Sequence, residues 1–367
     1  MDKTPEKKFF IDIGKFWNYN ANMNCLFIYN PKSGKGRLSK KEKCIVQKLK
    51  TKFDVVDVIK THCSGDANKI ASENCGKYDV FVVGGGDGTL NEVINAIAQK
   101  TNAPKIGYLP AGTTNDVAHS LHIPTNIKKA IKTILNGKVF CHDIFKTNNK
   151  YGIYVCATGL GTEASYETAQ RAKNIFGKIA YFFNGARKIF KSNPINVCIK
   201  YDNVQVKKTC ALMLILNSRR VAGFTVNKKA CLDDGYVDVV LVDSPRKKRF
   251  SLLSLLWTAK LFLLGINYCK KKKHITYLKL KNFSAEIEGT AKINLDGENG
   301  ICGSFDFEVI KDGLEIFVPW TKMRLWIELN TFCFLLQLRL HLNVYLLYCL
   351  VLEFFQNTFY LTLHIGA

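Results

Sequence analysis

The chain has 367 residues and carries 53 Lys and Arg against 30 Asp and Glu, a formal net charge of +23. A chain of this length can form two domains, each with its own hydrophobic core. Its basic excess favours an anionic partner: lipid headgroups, a phosphorylated substrate or nucleic acid. We expect no nucleic-acid partner, because no recognised nucleic-acid-binding motif occurs and much of the lysine is scattered.

The cysteines and the N-terminus indicate the compartment. Thirteen cysteines are spaced irregularly and form no Cys-x-x-Cys pair, which favours reduced core residues over disulfides or a zinc site. Residues 1–23 form an N-terminal extension that is charged and lacks a long apolar core, so no signal peptide is predicted. We therefore expect a cytoplasmic protein.

Strand-like and helical segments alternate along residues 24–140. This alternation predicts a doubly wound parallel α/β domain with helices on both faces of the sheet. Ligands of such sheets bind at the carboxyl ends of the strands, where the turns 30–34, 84–89 and 110–116 fall. The predicted strands are 25–29, 54–59, 79–83 and 105–109, and the predicted helices lie near 38–49, 66–72 and 90–99.

The second of these turns is rich in glycine. It reads Gly84-Gly85-Gly86-Asp87-Gly88 and connects a buried strand to a helix. Glycines let the backbone approach a polyphosphate closely, and the free N–H groups of a helix start supply positive potential. Thr89 and Glu92 have the spacing of a capping box for that helix. An ordinary strand-to-helix turn is the alternative, but four glycines around one aspartate favour phosphate binding.

Beyond about Cys141 the pattern becomes strand-rich. Asp-Gly and Asn-containing turns predict hairpins, so we expect an antiparallel β-sandwich-like domain over 141–319, with the active site in the cleft between the two domains. A return of its last strand to the first domain is left open. The predicted strands are 152–157, 196–201, 210–216, 236–242, 277–287, 292–295 and 304–309, with helices near 169–191 and 250–264.

Basic clusters flank the last of these helices. Arg246-Lys247-Lys248-Arg249 precedes it and Lys270-Lys271-Lys272-Lys273 follows it, while the segment between them is apolar and contains Trp257. Such a helix suits docking on an anionic membrane surface. A helix that covers the core with solvated ends is an equal alternative.

Four stretches, taken in order, resemble the soluble bacterial diacylglycerol kinases, which belong with sphingosine and ceramide kinases to one superfamily of lipid kinases. The resemblance covers about residues 24–319. The four stretches are 29–35, 85–92, 110–116 and 294–298, and shorter ones lie at 164–167, 177–181, 222–224 and 232–236.

The resemblance implies an enzyme of phospholipid metabolism that uses ATP and Mg²⁺ to phosphorylate membrane diacylglycerol to phosphatidate, as a peripheral protein at the inner membrane face. Such chemistry requires positioning and charge neutralisation. Asp87 would repel phosphate unless it faces Mg²⁺ or anchors the loop through backbone N–H groups. The implied nucleotide-binding residues are Asn30, Pro31, Lys32, Ser33, Gly34, Thr61, Gly86, Asp87, Gly88, Thr89, Leu90, Asn91, Glu92 and Thr113.

Two Asp-Gly sites have implied roles. In the Asp-Gly-Glu motif, Glu298 is assigned as the base that takes the proton of the lipid hydroxyl, with Asp296 as runner-up or orienting partner. The resemblance also implies a structural magnesium held by Asp234 and the main-chain oxygens of Cys231 and Tyr236. Each of the two Asp-Gly sequences is also typical of an ordinary hairpin turn.

Several alternatives stay open. The acceptor could be another lipid alcohol, such as a sphingoid base or a ceramide-like molecule. NAD kinase shares the Gly-Gly-Asp-Gly-Thr loop, and a non-catalytic membrane-binding protein would also use the basic surface. A homodimer is left open. The apolar tail 320–367 contains Arg339 and His341 near its middle, which disfavours a spanning helix, so an anchor, a packed helix and a non-native extension remain.

Overall fold

The computed structural model describes residues 23–159, 194–245, 251–270, 272–288 and 292–320. Its first lobe alternates parallel strands with helices, as predicted. The strands are β1 (Asn24–Tyr29), β2 (Val55–Lys60), β3 (Val80–Gly85) and β4 (Lys105–Pro110). The helices are α1 (Glu42–Leu49), α2 (Asp66–Asn74), α3 (Asp87–Ile97), α4 (Asp116–Ser120) and α5 (Ile127–Asn136).

The parallel sheet is covered on both faces. Strand β1 lies between β2 and β3, and β4 extends the sheet beyond β3. On β1, Leu26 and Ile28 pack into the core formed with α2 and α3, whereas Phe27 and Tyr29 pack into the core formed with α1 and α5. Burial on both faces explains why these strands are continuous apolar runs, and it confirms the doubly wound arrangement.

The second lobe is mainly antiparallel, which confirms the predicted class. Among the described residues of this lobe are two further helices, α6 (Leu252–Leu264) and α7 (Ile266–Cys269). Its strands are β5 (Lys138–Thr147), β6 (Lys150–Gly152), β7 (Val155–Gly159), β8 (Ile195–Tyr201), β9 (Val204–Leu216), β10 (Arg220–Val221), β11 (Phe224–Thr225), β12 (Val237–Asp243), β13 (Ile275–Leu280), β14 (Asn282–Ile287), β15 (Lys292–Leu295), β16 (Glu298–Cys302) and β17 (Phe305–Val318).

Strand β17 connects the two lobes. It pairs with β5 and β14 in antiparallel fashion, and its far end pairs with β4 in parallel through Ile316 and Ile106. The last strand of the second lobe thus returns to the first, and the described strands of both lobes, except the separate β10–β11 hairpin, join one 15-stranded sheet. The position of the second lobe relative to the parallel sheet is therefore fixed by backbone hydrogen bonds.

Several predicted elements differ in extent, among them the strand predicted over 210–216, which begins at Val204. The segment predicted as one strand over 277–287 forms two strands. The first, β13, pairs with β12, whereas the second, β14, pairs with β8 and β17. The strand predicted over 152–157 is interrupted, since the amides of Ile153 and Tyr154 bind a carboxylate instead of a neighbouring strand. The strand predicted to end at 309 continues to Val318.

Some predictions lie outside the described residues. These are the N-terminal extension up to residue 22, the helix near 169–191, the stretches 164–167 and 177–181, the basic cluster 246–249, and the tail beyond residue 320. Among the residues that the structure describes, no helix is both long and apolar enough to cross a bilayer.

Candidate active site

The three predicted turns meet at the carboxyl edge of the parallel sheet. The amide of Asn30 donates to the carbonyl of Gly84 at 2.9 Å, and the amide of Ala111 donates to the carbonyl of Gly85 at 2.7 Å. The second and third turns touch so closely that a Cβ on Gly112 would lie 2.7 Å from the Cα of Gly86. The structure therefore brings together turns that are separated in sequence by about 50 residues, between the first and second, and about 20 residues, between the second and third.

The first turn has a conformation suited to an anion. The Asn30 side chain accepts the amide of Lys32 at 2.9 Å, and Gly34 and Lys35 both have positive φ, 58° and 60°. Consecutive amides in such a turn can point toward one bound anion. The Arg37 side chain folds over Gly34, with Nε 3.0 Å from the position of a Cβ there. Sequence reasoning did not select Arg37, although its place directly after the motif was a usable signal.

Asp87 is the first residue of α3 and is 8 % exposed. Its carboxylate accepts the amides of Asp116 at 3.0 Å and Val117 at 3.3 Å, and the hydroxyl of Thr114 at 3.3 Å. Of the two roles considered for Asp87, the described residues show the anchoring one: it holds the third turn through backbone N–H groups. Burial raises the pKa of the Asp87 carboxyl, and those hydrogen bonds oppose the rise.

The predicted capping box is wrong. Helix α3 begins at Asp87, so Thr89 lies inside its first turn and packs its side chain against Gly85. Glu92 instead accepts the amides of Gly65 at 3.0 Å and Ala67 at 3.1 Å, at the start of α2. The spacing of a capping box does not reveal that a neighbouring helix presents unpaired amides nearer to the glutamate.

Other residues of the predicted nucleotide set occupy different surroundings. Thr61 is buried beside the end of β1, with its amide donating to the carbonyl of Tyr29 at 3.0 Å. Thr113 is exposed on the third turn. The side chain of Leu90 is fully buried in the core, so its presence in the motif serves packing.

The Asp-Gly-Glu motif lies in a tight hairpin between β15 and β16, where Leu295 pairs with Glu298. Asp296 and Gly297 both have positive φ, 50° and 90°, which is the backbone of a two-residue type I′ turn. The hairpin interpretation and the catalytic one are therefore compatible, because the turn that forms the hairpin also places Glu298 beside Gly88.

Asp296 is buried and fully engaged. Its carboxylate accepts the amides of Ile153, Tyr154 and Val155 at 2.6, 3.0 and 2.8 Å, and the side-chain amide of Asn91 at 2.7 Å. Burial raises its pKa to about 6, against the lowering effect of these hydrogen bonds. Both oxygens of Asp296 are therefore occupied by hydrogen bonds to residues 153–155 and to α3.

Glu298 faces the glycine-rich loop. Its Oε1 lies 3.3 Å from the position that a Cβ on Gly88 would take, at the N-terminal end of α3. The residue is exposed to solvent on one side. Partial burial, followed by the Glu92 carboxylate, raises the pKa of Glu298, while the Lys150 ammonium lowers it. A carboxylate so placed can accept a proton from a group that approaches the loop.

The third turn also contacts the second lobe. The Asp116 carboxylate accepts the amide of Gly223 at 3.0 Å, and the Asp116 amide donates to Asp87. Burial, then the neighbouring Asp87 carboxylate, raises the pKa of Asp116 to about 6. Sequence reasoning placed Asp116 in the third turn and gave it no role of its own.

The residues predicted to hold magnesium lie in the turn before β12, where the Asp234 carboxylate already has partners. The Asp234 carboxylate accepts the amide of Tyr236 at 3.1 Å and forms an ion pair with Lys279. Among the described residues, no cluster of three His, Cys, Asp or Glu side chains could hold a metal, so such a site would depend on main-chain oxygens. A carboxylate with carbonyl oxygens suits a hard cation, and Lys279 supplies the positive charge here.

Known proteins match both the sequence and the fold. The sequence matches the diacylglycerol kinase catalytic domain over residues 24–147. It is 34 % identical over 294 residues to a diacylglycerol kinase of Staphylococcus saprophyticus, covering 80 % of this chain and 94 % of that protein. A diacylglycerol kinase of Staphylococcus aureus is 33 % identical, with 80 % and 91 % covered.

Solved structures extend the match to three dimensions. A crystal structure of a diacylglycerol kinase from Bacillus anthracis is 25 % identical, covers 81 % of this chain and 98 % of its own, and has a TM-score of 0.66. The fold and the site thus define a kinase of the two-lobed lipid-kinase type. The chain belongs to the diacylglycerol kinase family. Membership of a kinase family implies the use of ATP.

Proposed function

We propose that this enzyme transfers the γ-phosphoryl group of ATP to the free hydroxyl of diacylglycerol, which gives phosphatidate and ADP. The observation that carries the proposal is the position of Glu298 beside Gly88, while the Asp296 carboxylate is occupied by backbone amides and by Asn91. The family relationship supplies the substrate class, because the relatives from Staphylococcus bear the name diacylglycerol kinase. NAD kinase is not favoured, since neither the matched family nor these relatives point to it.

The three turns would bind the nucleotide. Backbone amides of the first turn, with Lys32 and Arg37 beside them, would neutralise phosphate charge, as would the N-terminus of α3. Asp87 stays clear of repulsion with the phosphates, because its carboxylate is turned to the amides of Asp116 and Val117. The glycines at 86 and 112 leave the space in which a phosphate chain can approach the backbone.

Glu298 would act as the general base. The acceptor hydroxyl loses its proton to the Glu298 carboxylate while its oxygen forms a bond to the γ-phosphorus and the bond to the β-phosphate oxygen breaks. The raised pKa of Glu298 improves its strength as a base. Because the side chain is open to solvent on one side, the proton can then leave to water.

Magnesium would contribute at two places. Bound with the nucleotide, Mg²⁺ neutralises charge on the transferred phosphoryl group. A structural ion would be held by Asp234 and the main-chain oxygens of Cys231 and Tyr236, where it would replace Lys279 as the cation beside the carboxylate.

A membrane supplies the acceptor in this proposal. Long-chain diacylglycerol resides in the bilayer, and the net charge of +23 favours an anionic surface. We propose that the enzyme is a peripheral protein at the inner, cytoplasmic face of the membrane.

The decisive experiment is turnover by the Glu298→Gln variant. With labelled ATP and diacylglycerol, we expect a loss of roughly 10²- to 10⁴-fold, the usual contribution of a general base. Glu308→Gln, an exposed glutamate on β17, is the matched control. Thermal unfolding should show both variants folded. Full turnover by Glu298→Gln, or labelled phosphate on NAD and none on diacylglycerol, would refute the proposal.

A further inference from the structure

Helix α6 exposes a row of leucines and buries two polar residues, which is unlike an ordinary surface helix. The side packed on the protein contains Ser254 and Thr258, which are buried together with Leu261. The side turned to solvent is made of leucine. A surface helix normally buries its apolar stripe and exposes polar residues. The leucines of α6 are therefore candidates for contact with a partner outside the folded chain.

The exposed leucines form one stripe. Leu252, Leu263 and Leu264 are 62 %, 73 % and 53 % exposed, and Leu253 and Leu256 lie along the same side. Their spacing of three, four and seven residues places them on one helix face. The helix has 13 residues, so the stripe is about 20 Å long at 1.5 Å per residue.

The helix is anchored firmly through its inner side. The Phe262 ring packs edge-on against Phe224, with ring centroids 5.7 Å apart. At the C-terminal end, the Ile266 amide donates to the carbonyl of Val226 at 2.8 Å. The Ser254 hydroxyl donates to the carbonyl of Asp243 at 3.3 Å. These contacts fix which face points outward.

The charge around the stripe has one sign. Residues 251–273 include no Asp or Glu. Lys260 is exposed within the leucine stripe, and Lys272 is exposed beyond its end, 5.0 Å from the ring centroid of the half-exposed Tyr268. Lysines and a tyrosine at the border of an apolar face match the headgroup region of an anionic bilayer.

We propose that this leucine stripe inserts into an anionic bilayer and orients the enzyme on it. The inference rests on the proposed function and names the surface through which it reaches the lipid. The segment that anchors α6 also bears Gly223, whose amide donates to Asp116 in the cleft. Docking of α6 would therefore bring the rim of the cleft to the membrane that holds the acceptor.

A second copy of the chain fits this surface poorly. In a two-fold symmetric dimer the same face is presented by both subunits, so the exposed lysines around each stripe would oppose one another. An anionic bilayer offers an apolar interior to the leucines and negatively charged headgroups to the lysines.

The test is co-sedimentation of the full chain with vesicles of phosphatidylcholine, with and without phosphatidylglycerol. The Leu263→Ser/Leu264→Ser variant should bind anionic vesicles at least roughly tenfold more weakly, because two leucines no longer enter the bilayer. Val204→Ser, on β9, is the matched control for an exposed apolar residue and should bind like the unaltered chain. Lys260→Gln should weaken binding to anionic vesicles alone, and less so at high salt.

Kinase turnover separates this inference from the proposed function. With a short-chain, water-soluble diacylglycerol, the double variant should retain turnover, whereas with diacylglycerol embedded in vesicles it should lose most of it. Unchanged vesicle binding by the double variant would overturn the docking surface. If the substitutions convert a dimer into a monomer while vesicle binding is unchanged, the leucine stripe is a dimer interface and the proposal is likewise overturned. Failure of the unaltered chain to phosphorylate any diacylglycerol would overturn the proposed function, while the vesicle result would still decide the docking surface.

Discussion

Asn91 and Asp296 lie 205 positions apart in sequence, and the Asn91 side-chain amide donates to the Asp296 carboxylate at 2.7 Å. The bond joins the first turns of α3, in the first lobe, to the hairpin that bears Glu298. The orientation of that hairpin therefore depends on the same helix whose N-terminus lies beside the proposed phosphate site.

Asn91→Ala should weaken this connection. Loss of a hydrogen bond to a buried carboxylate lowers the free energy of unfolding by about 1.5 to 3 kcal/mol. Urea unfolding would measure the change. The control is Asn74→Ala, which removes a bond from Asn74 to the carbonyl of Ile70 within α2 and should cost less. Equal losses for the two variants would contradict the role of Asn91.

Asp116→Asn should change how stability depends on pH. Burial and Asp87 raise the Asp116 pKa from 3.8 to about 6, so the folded chain keeps this proton where the unfolded chain has lost it. The contribution of Asp116 to stability is therefore complete below the unfolded pKa and is lost as the pH rises through about 6.

The variant removes this loss. The free energy of unfolding of Asp116→Asn, measured relative to that of the unaltered chain, should rise by roughly 1 to 3 kcal/mol as the pH goes from about 4 to about 7. Urea unfolding at several pH values would show the trend, with Asp306→Asn at an exposed position as the control. A difference between variant and unaltered chain that is constant with pH would argue against the raised pKa.

Lys150→Met should shift the acid limb of the pH–activity profile. Lys150 lowers the pKa of Glu298, which burial and Glu92 raise. Without that ammonium the base holds its proton to higher pH, so the decline of kcat/KM on the acid side should move upward by up to about one pH unit. Lys128→Met, another exposed lysine, should leave the limb in place. An unmoved limb in both variants would remove Glu298 as the titrating base.

Gly112→Ala should separate the second and third turns. Its Cβ would lie 2.7 Å from the Cα of Gly86 and 2.9 Å from Oδ1 of Asn115, so the backbone must shift. We expect a loss of about 1 to 3 kcal/mol in stability and weaker ATP binding, measured by urea unfolding and calorimetry.

Gly76→Ala is the control for this variant. Gly76 has a φ of +82° and nothing within 4 Å of a Cβ, so the change costs only backbone strain of about 1 kcal/mol and leaves ATP affinity intact. Normal ATP affinity in Gly112→Ala would show that the contact between the turns is not needed for nucleotide binding.

The sequence by itself determined the parallel lobe and its three turns. Strands β1, β3 and β4 are continuous apolar runs followed at once by glycine, proline or asparagine turns, so element type and turn position follow from local chemistry. Because parallel strands end at one edge, the meeting of the turns followed from the same pattern. The Asp-Gly pair likewise specified a hairpin before its role was known.

Tertiary structure alone decided the partners of the polar groups. Glu92 has the spacing to cap α3 but caps α2 instead. The two carboxylates of the Asp-Gly-Glu motif are separated in role by their surroundings, because the amides 153–155 bind Asp296 and not Glu298. Helix α6 carries apolar residues on all sides, so its sequence does not specify which face is buried; packing against Phe224 and Val226 selects that face. Local patterns specify elements, whereas the choice among chemically equal partners requires the distances that only the folded chain provides.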